Sequence, residues 1–259
     1  MGEFWDKGPM VVTGCTKVSP GCKNCWSERA HVIRSGNPKM QHLYRPDHLT
    51  GGHFNGKIQF NLRLLHEVSS KRAPKVICPW NDLYHEDLTR EQIESALDIM
   101  YANPRHTYLI ITKRPERAVE IFGGTSGAGL SMPIPEHIWH IATMENQEQA
   151  YKRMSYLRLI PGKRGVIMEP CLEKIKVAKC TITEGCSYMD GEGICHEGGT
   201  CVGSPLNNIH QVILGPENGA GKRPFKEEWA ESVKAQCEAA GVPYFRKDKG
   251  EGQLAWRKP

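Results

Sequence analysis

The sequence lacks the features that mark several special classes of protein. No apolar run approaches the ~18 residues that cross a membrane, and the N-terminal residues show no basic region followed by an apolar stretch. We find no internal repeat and no block of like charge. The sequence therefore predicts neither a membrane span nor an export signal, and we expect a cytoplasmic protein that makes no membrane contact.

The composition is that of a folded chain. Hydrophobic residues make up 39% and charged residues 24% of 259 residues, which excludes a disordered protein. Lysine plus arginine exceed aspartate plus glutamate by 34 to 29, a mild excess that permits a polyanionic partner without requiring one. We expect a single domain over residues 1–259.

Short apolar or β-branched runs alternate with helical patterns along the chain. Residues with helical spacing follow most of these runs, and Thr89 and Gln92 form a capping box before one of them. Continuous apolar strands separated by helices are typical of a parallel sheet. We therefore predict an α/β fold, a partial or closed (β/α)6–7 TIM-like barrel, with a doubly wound open sheet as the alternative. The seven predicted strands lie within residues 10–13, 75–78, 108–111, 138–142, 165–168, 210–214 and 242–245.

Two stretches interrupt this alternation. Residues 36–56 are rich in Gly, Pro, His and Asn and predict a long surface loop. Residues 179–208 are rich in glycine and predict an inserted segment that needs a cross-link to keep one conformation. Four cysteine thiolates would provide this cross-link by binding zinc or an auxiliary iron–sulfur cluster, and two disulfides or free thiols are the alternatives. The cysteines of this second group are Cys180, Cys186, Cys195 and Cys201.

Polar residues follow the predicted strands directly. Because the carboxyl ends of parallel strands meet at one edge of the sheet, such residues are candidates for a functional site. The alternative for each charged one is a structural ion pair at that edge. The candidates are Trp80, Asn81, Asp82, Thr112, Lys113, Glu145, Asn146, Glu169 and Glu217.

Three cysteines after the first predicted strand carry the most specific pattern. Cys15, Cys22 and Cys25 have the form C-x6-C-x2-C. Three thiolates can hold an iron–sulfur cluster and leave one iron open to an exchangeable ligand. A closed zinc site would need a fourth ligand, for which His31 is the nearest candidate.

These segments resemble a bacteriophage and bacterial protein family whose members are similar to radical S-adenosylmethionine (SAM) enzymes. The resemblance begins with VTGCTKVSPGCKNCWSER at residues 12–29. It continues through short motifs in the same order: NDLYHE at 81–86, TKRPER at 112–117, ENQ at 145–147, EP at 169–170, GPENG at 215–219 and GVPYFRK at 241–247.

The resemblance implies a [4Fe–4S] cluster on Cys15, Cys22 and Cys25, with SAM bound to the fourth iron and a barrel of the radical SAM type. A donor such as flavodoxin or ferredoxin would reduce the cluster, and cleavage of SAM would give a 5′-deoxyadenosyl radical. The usual spacing is C-x3-C-x2-C with an aromatic residue before the last cysteine, where this chain has Asn24.

The resemblance also suggests roles for the polar candidates. Trp80, Asn81 and Asp82 would meet the amino group of SAM. Thr112, Lys113, Glu145 and Asn146 would meet its carboxylate and ribose, with Lys113 and Glu145 counted among the catalytic residues. Glu169 and Glu217 would face SAM or substrate.

The occurrence of relatives in phages implies a substrate related to DNA. We expect modification or isomerase-type rearrangement of a substituted nucleobase, such as a substituted thymine, free or in DNA, in the cytoplasm of the bacterial host. One alternative is a zinc-stabilised nucleic-acid-binding protein without catalysis. Another is a metal-dependent nuclease or hydrolase built on Asp82, His85 and Glu86.

Overall fold

The computed structural model describes residues 4–122, 133–177, 206, 208–219 and 221–257. In chain order its elements are β1 (Val12–Thr13), α1 (Trp26–Ser35), β2 (Leu49–Thr50), β3 (His53–Phe54), β4 (Gln59–Phe60), α2 (Leu62–Ser69), β5 (Val76–Ile77), α3 (Arg90–Tyr101), β6 (Thr107–Thr112), α4 (Pro115–Phe122), β7 (Ile138–Thr143), α5 (Gln147–Leu159), β8 (Lys163–Met168), β9 (Gln211–Leu214), α6 (Glu227–Ala240), β10 (Tyr244–Arg246) and β11 (Glu251–Gly252).

The centre of the fold is a mixed sheet of seven strands. They lie in the order β11-β10-β9-β8-β7-β6-β5, so that sequence neighbours are also neighbours in space. Strands β5 to β10 are parallel, and β11 runs antiparallel to β10. Because right-handed crossovers between sequential parallel strands lie on one face, α3, α4, α5 and α6 share the same side of the sheet.

The two faces of the sheet bury different cores. Alternate residues point to opposite faces, so Ile110 packs on the helix side while Leu109 packs on the other. The second face is covered by the two ends of the described chain. There Trp256 Nε1 donates to Phe4 O at 3.0 Å, and the Trp256 ring contacts that of Trp139 at 5.0 Å between centroids. The chain ends therefore close the face opposite the helices.

The prediction of a (β/α)6–7 TIM-like barrel is wrong. The sheet is open and mixed, and it curves only as a half-barrel with helices. Strand β1, the first predicted strand, pairs antiparallel with β4 through Val12 and Phe60 rather than with β5. Gly14 is the physical reason: its φ of 80° turns the chain, and a Cβ there would lie 2.0 Å from Lys57 O. A doubly wound sheet is also excluded, because its strand order would reverse.

The predictions of individual strands and of the helix cap are more accurate than the prediction of the whole fold. Each of the seven predicted ranges contains a strand, and the capping box is confirmed, since Thr89 Oγ1 accepts from Gln92 N at 3.2 Å. Residues 36–56 fold back on α1, where Phe54 N donates to buried Glu28 at 2.8 Å. None of the helices in the described ranges is long and apolar enough to cross a membrane. The predicted insertion, with Cys180, Cys186, Cys195 and Cys201, lies outside the described residues apart from positions 206 and 208.

Candidate active site

A cavity of about 260 Å³ lies at the carboxyl end of the parallel strands. Residues from β6, β7 and β8, from the segment after β5 and from the chain that follows β1 form its wall. The structure brings together nine of the predicted site residues there: Cys15, Cys22, Cys25, Trp80, Asn81, Asp82, Thr112, Lys113 and Glu169. Glu145, Asn146 and Glu217 do not line it.

The three cysteines lie on one segment, residues 15–25, which we name the cysteine loop. It starts after the turn at Gly14, contains a short 3-10 helix at Pro20–Cys22, and ends at Cys25, the N-cap of α1. None of the three thiols is in a disulfide. Cys22 is buried, while Cys15 and Cys25 are partly exposed to the cavity.

Burial and the neighbouring Arg114 act in opposite directions on the pKa of the Cys15 thiol. Burial raises the pKa of its thiol to about 12, and Arg114 opposes this shift. The Nη1 atom of Arg114 lies 4.0 Å from the sulfur. A cation at this distance favours the thiolate, so Arg114 eases the loss of the Cys15 proton.

Asp82 is the counter-ion of Arg114. Its carboxylate accepts from Thr112 Oγ1 at 2.6 Å, from Lys113 N at 3.0 Å and from Arg114 Nη1 at 3.0 Å. Both charged side chains are less than a tenth exposed. Asp82 is therefore already neutralised, and the geometry favours the structural ion pair over a contact with the ammonium of SAM.

Arg114 also connects the cysteine loop to Glu86. Its Nη2 donates to Thr16 Oγ1 at 2.6 Å, and its Nε donates to Glu86. The Thr16 hydroxyl in turn donates to Glu86. Although burial raises it, these hydrogen bonds lower the pKa of Glu86 to about 2. Glu86 and Arg114 thus hold the start of the loop.

Glu145 holds the middle of the loop. Its Oε1 accepts from Gly21 N at 3.1 Å, and its Oε2 accepts from Arg153 at 2.6 Å. A Cβ on Gly21 would lie 2.8 Å from the carboxyl carbon of Glu145, so glycine is required for this contact. Burial raises the pKa of Glu145, but Arg153, a hydrogen bond with Ser19 and the nearby Lys113 together outweigh burial, and the net shift is downward. Glu145 therefore positions the loop rather than lining the cavity.

Glu217 holds the end of the loop. It accepts from Asn24 Nδ2 at 2.9 Å and from Arg223 Nε at 2.9 Å, and Arg223 Nη1 donates to Pro20 O at 2.9 Å. Burial raises the pKa of Glu217, yet the hydrogen bonds from Arg223 and Asn24 bring it to about 2. Asn24 is thus the residue through which the loop meets Glu217.

The loop is consequently fixed by three glutamate–arginine pairs, which we name the carboxylate clamps. In each clamp the glutamate accepts a hydrogen bond from the loop and forms an ion pair with an arginine. The glutamates follow β5, β7 and β9, so the sheet determines where the loop lies. The sequence analysis did not predict that arginines pair with these glutamates. The clamps are Glu86–Arg114, Glu145–Arg153 and Glu217–Arg223.

Two of the predicted asparagines have structural roles. Asn146 is the N-cap of α5 and accepts from Gln149 N at 2.9 Å. Asn81, at a φ of 60°, donates to Val12 O at 2.8 Å and accepts from the Ser27 hydroxyl. Asn81 therefore ties β1 and α1 to the segment after β5, beside the cavity.

The other charged groups in the cavity belong to Lys113, Glu169 and Lys247. Lys247 Nζ donates to both oxygens of Glu169, at 2.6 and 2.7 Å. Lys113 lines the cavity, and its ammonium forms no hydrogen bond or ion pair with any group that the structure describes. Lys113 is therefore the cation available to an anionic ligand.

Two tryptophans form one side of the cavity near the cysteines. The rings of Trp26 and Trp80 meet edge to face with 4.9 Å between centroids, and Trp26 is half exposed. The indole nitrogen of Trp80 is buried and has no partner among the described groups. The exposed ring of Trp26 offers a flat surface to a ligand entering the cavity.

Comparison with known proteins adds one finding. The model of the family described as "Protein of unknown function (DUF5131)" matches residues 3–258. The chain belongs to this family. No curated protein and no solved structure matches it.

In this DUF5131 member the alternative metal sites find little support. His31 does not line the cavity, and its Nε2 is 2.9 Å from Arg45 O. Asp82 and Glu86 both form ion pairs with Arg114. Within the described ranges no three His, Cys, Asp or Glu side chains are placed to hold a single metal ion. Neither a zinc site with His31 nor a nuclease site on Asp82, His85 and Glu86 is favoured.

Proposed function

We propose that this chain is a radical SAM enzyme in which Cys15, Cys22 and Cys25 hold a [4Fe–4S] cluster. The observation that carries the proposal is the arrangement of these cysteines. Three unbridged thiols on one loop line a single cavity with polar groups from the strand ends. This donor set suits a cluster that takes three protein thiolates and leaves one iron for another ligand.

Two further points bear on this donor set. A single ion would need its ligands to converge on one point, which the described side chains do not do. A cubane cluster instead binds each thiolate to a different iron, so that its ligands stand apart around a larger object. The carboxylate clamps fix the loop through Thr16, Gly21 and Asn24, and so leave the three sulfurs for the cluster.

The side chains of the cavity then have defined tasks. When bound, the cluster and SAM supply the electron and the 5′-deoxyadenosyl radical that removes hydrogen from an unactivated carbon. Lys113 binds the carboxylate of SAM. Trp26 and Trp80 exclude water on one side, and the Glu169–Lys247 pair faces SAM or substrate with Lys247 as the donor and Glu169 as the acceptor.

For the substrate we propose a substituted nucleobase, rearranged in an isomerase-type reaction or otherwise modified, in a phage or its bacterial host. The half-exposed ring of Trp26 beside the cavity supports this substrate class, because a base stacks on such a ring. The described cysteines are all unbridged, which suits the reducing cytoplasm. We also propose that Cys180, Cys186, Cys195 and Cys201 bind a second metal, zinc or an auxiliary iron–sulfur cluster.

The test is anaerobic reconstitution with iron and sulfide, followed by dithionite and SAM. Mass spectrometry should detect 5′-deoxyadenosine with the natural chain and none with Cys22→Ala. The matched control is Cys237→Ala, a buried cysteine on α6 that does not line the cavity, which should keep the activity. Persistence of the product in Cys22→Ala would refute the cluster assignment. Iron and zinc analysis of the same preparations tests the second cysteine group.

A further inference from the structure

The guanidinium of Arg114 has an acceptor for each of its five N–H groups. Its Nε donates to Glu86, its Nη1 donates to Asp82 at 3.0 Å, and its Nη2 donates to the hydroxyl and the carbonyl oxygen of Thr16, at 2.6 and 3.3 Å. Because an arginine carries five N–H donors, these four bonds leave one N–H, on Nη1, for another acceptor. The Cys15 sulfur lies 4.0 Å from this Nη1 atom. The fifth N–H is therefore available to a sulfur of the cysteine loop.

The four oxygen contacts hold the guanidinium in one orientation. The Arg114 side chain is buried, and so is the carboxylate of Asp82. Asp82 is in turn held by Thr112 Oγ1 and Lys113 N. A planar group bonded through four of its five donors cannot turn without breaking several hydrogen bonds at once. The segments after β5 and β6 therefore determine which N–H of Arg114 faces the sulfur.

Arg114 also supplies the charge that dominates at this sulfur. Burial has the largest effect on the pKa of the Cys15 thiol and raises it, the lowering by Arg114 comes second, and the raising by Asp82 is smaller. The guanidinium thus stabilises negative charge on the Cys15 sulfur even though it is paired with Asp82 and Glu86.

The three cysteines of the loop differ in this respect. The group beside the Cys22 sulfur is the neutral hydroxyl of Ser19, at 3.8 Å. Within the described ranges no lysine or arginine donates a hydrogen bond to the sulfur of Cys22 or Cys25. Cys15 is therefore the cysteine of the loop whose sulfur has a charged donor.

We infer that Arg114 is a positioning residue that donates its fifth N–H to the Cys15 sulfur and makes the iron–sulfur cluster easier to reduce, an inference that rests on the proposed function. Reduction adds one electron from the reductant and breaks no bond, so it increases the negative charge on the ligand sulfurs. A hydrogen bond to a sulfur and a nearby cation both stabilise that charge, and both raise the reduction potential. Arg114 acts on the cluster through Cys15.

The first test detects the hydrogen bond by spectroscopy. The natural chain is labelled with ¹⁵N-arginine, reconstituted with iron and sulfide, and reduced with dithionite in the absence of SAM. Pulsed EPR should detect coupling of an arginine ¹⁵N to the reduced cluster, and the coupling should be lost in Arg114→Lys. The matched control is Arg223→Lys, because Arg223 holds the same loop through Glu217 and Pro20 O. The control should keep the coupling.

The second test measures the reduction potential by EPR-monitored titration. Lysine keeps the positive charge but lacks the planar fork, so Arg114→Lys loses the N–H that faces the sulfur. The equilibrium constant for reduction should fall by about tenfold, which is about 59 mV for a one-electron couple. Arg223→Lys should leave the potential unchanged. An equal shift in both variants reports a loosened loop and overturns the inference, as does an unchanged potential in Arg114→Lys.

The natural chain alone separates this inference from the proposed function. A reduced cluster that shows no arginine coupling, in a chain that still cleaves SAM, overturns the inference and leaves the proposed function standing. A natural chain that binds no iron and sulfide contradicts the proposed function, and the inference fails with it. If Arg114→Lys folds too poorly to hold a cluster, the coupling in the natural chain and its persistence in Arg223→Lys decide the matter.

Discussion

The Glu145–Arg153 clamp gives the strictest test of how the cysteine loop is held. The two side chains are 0% and 2% exposed, and 2.6 Å separates their charged atoms. Removing one member of a buried pair leaves an uncompensated charge, which costs about 3–5 kcal/mol, a large part of the roughly 5–15 kcal/mol that stabilises a domain. We therefore expect Arg153→Met to lower the free energy of unfolding by about 3 kcal/mol or more.

A double-mutant cycle isolates the interaction from other effects of each change. Glu145→Gln keeps an acceptor for Gly21 N but leaves Arg153 without its counter-ion. The double variant has no buried charge at this position, so it should be more stable than Arg153→Met alone, with a coupling energy of about 2 kcal/mol. The control is the exposed Arg63–Glu67 pair, at 2.7 Å, whose coupling should be no more than about 0.5 kcal/mol.

Two measurements on the metal-free protein check this prediction. Urea unfolding followed by circular dichroism gives the stabilities, and mass spectrometry gives the alkylation rate of Cys22. That rate should rise in Arg153→Met, because the carboxylate that accepts from Gly21 N loses its partner. Additive stabilities in the cycle, together with an unchanged Cys22 rate, would refute the role we give this clamp.

The remaining predictions use other parts of the site. Gly21→Ala should destabilise the chain by about 1–3 kcal/mol and expose Cys22 to alkylation, whereas Gly36→Ala, whose Cβ meets nothing closer than 3.5 Å, should do neither. The pKa values of Glu86 and Glu217, about 2, are below their ordinary value of 4.5. Their contribution to stability is therefore present above pH 4.5 and lost as the pH falls towards 2; urea midpoints across this range should fall less steeply in Glu217→Gln. Lys113→Met should weaken SAM binding by about tenfold in calorimetry without changing the unfolding midpoint, and an unchanged affinity would contradict its assignment.

Seven of the eleven described strands were predictable because each is a short apolar run that ends in polar residues, whereas β2, β3, β4 and β11 lack such a run. The pairing of the strands with one another was not predictable from the sequence. Strand β1 has the same apolar character as the strands of the main sheet, yet it pairs with β4. The turn at Gly14 sends the chain towards Lys57, and a close backbone approach of this kind leaves no trace in hydrophobic periodicity.

The residues that line the cavity were predictable for a similar reason. Polar residues at the ends of parallel strands meet at one edge of the sheet, and six of the predicted residues do so: Trp80, Asn81, Asp82, Thr112, Lys113 and Glu169. What each carboxylate does there depends on its partner. Glu145 pairs with an arginine eight residues away and Glu217 with one six residues away, whereas Asp82 pairs across 32 residues. None of these separations is the three- or four-residue spacing of a helical ion pair, so all three pairs required the fold.

The clamps also account for the unusual spacing of the cysteines. The residues between Cys15 and Cys25 include each atom that a clamp binds: the Thr16 hydroxyl, the Gly21 amide and the Asn24 amide. A spacing of three residues between the first two cysteines would leave no room for the 3-10 helix that presents Gly21 to its glutamate. A phenylalanine in place of Asn24 would have no donor for Glu217. The longer loop and the asparagine therefore follow from one requirement. Carboxylates at the edge of the sheet must hold the loop that carries the three thiols, and they do so through the backbone and side chains that lie between the cysteines.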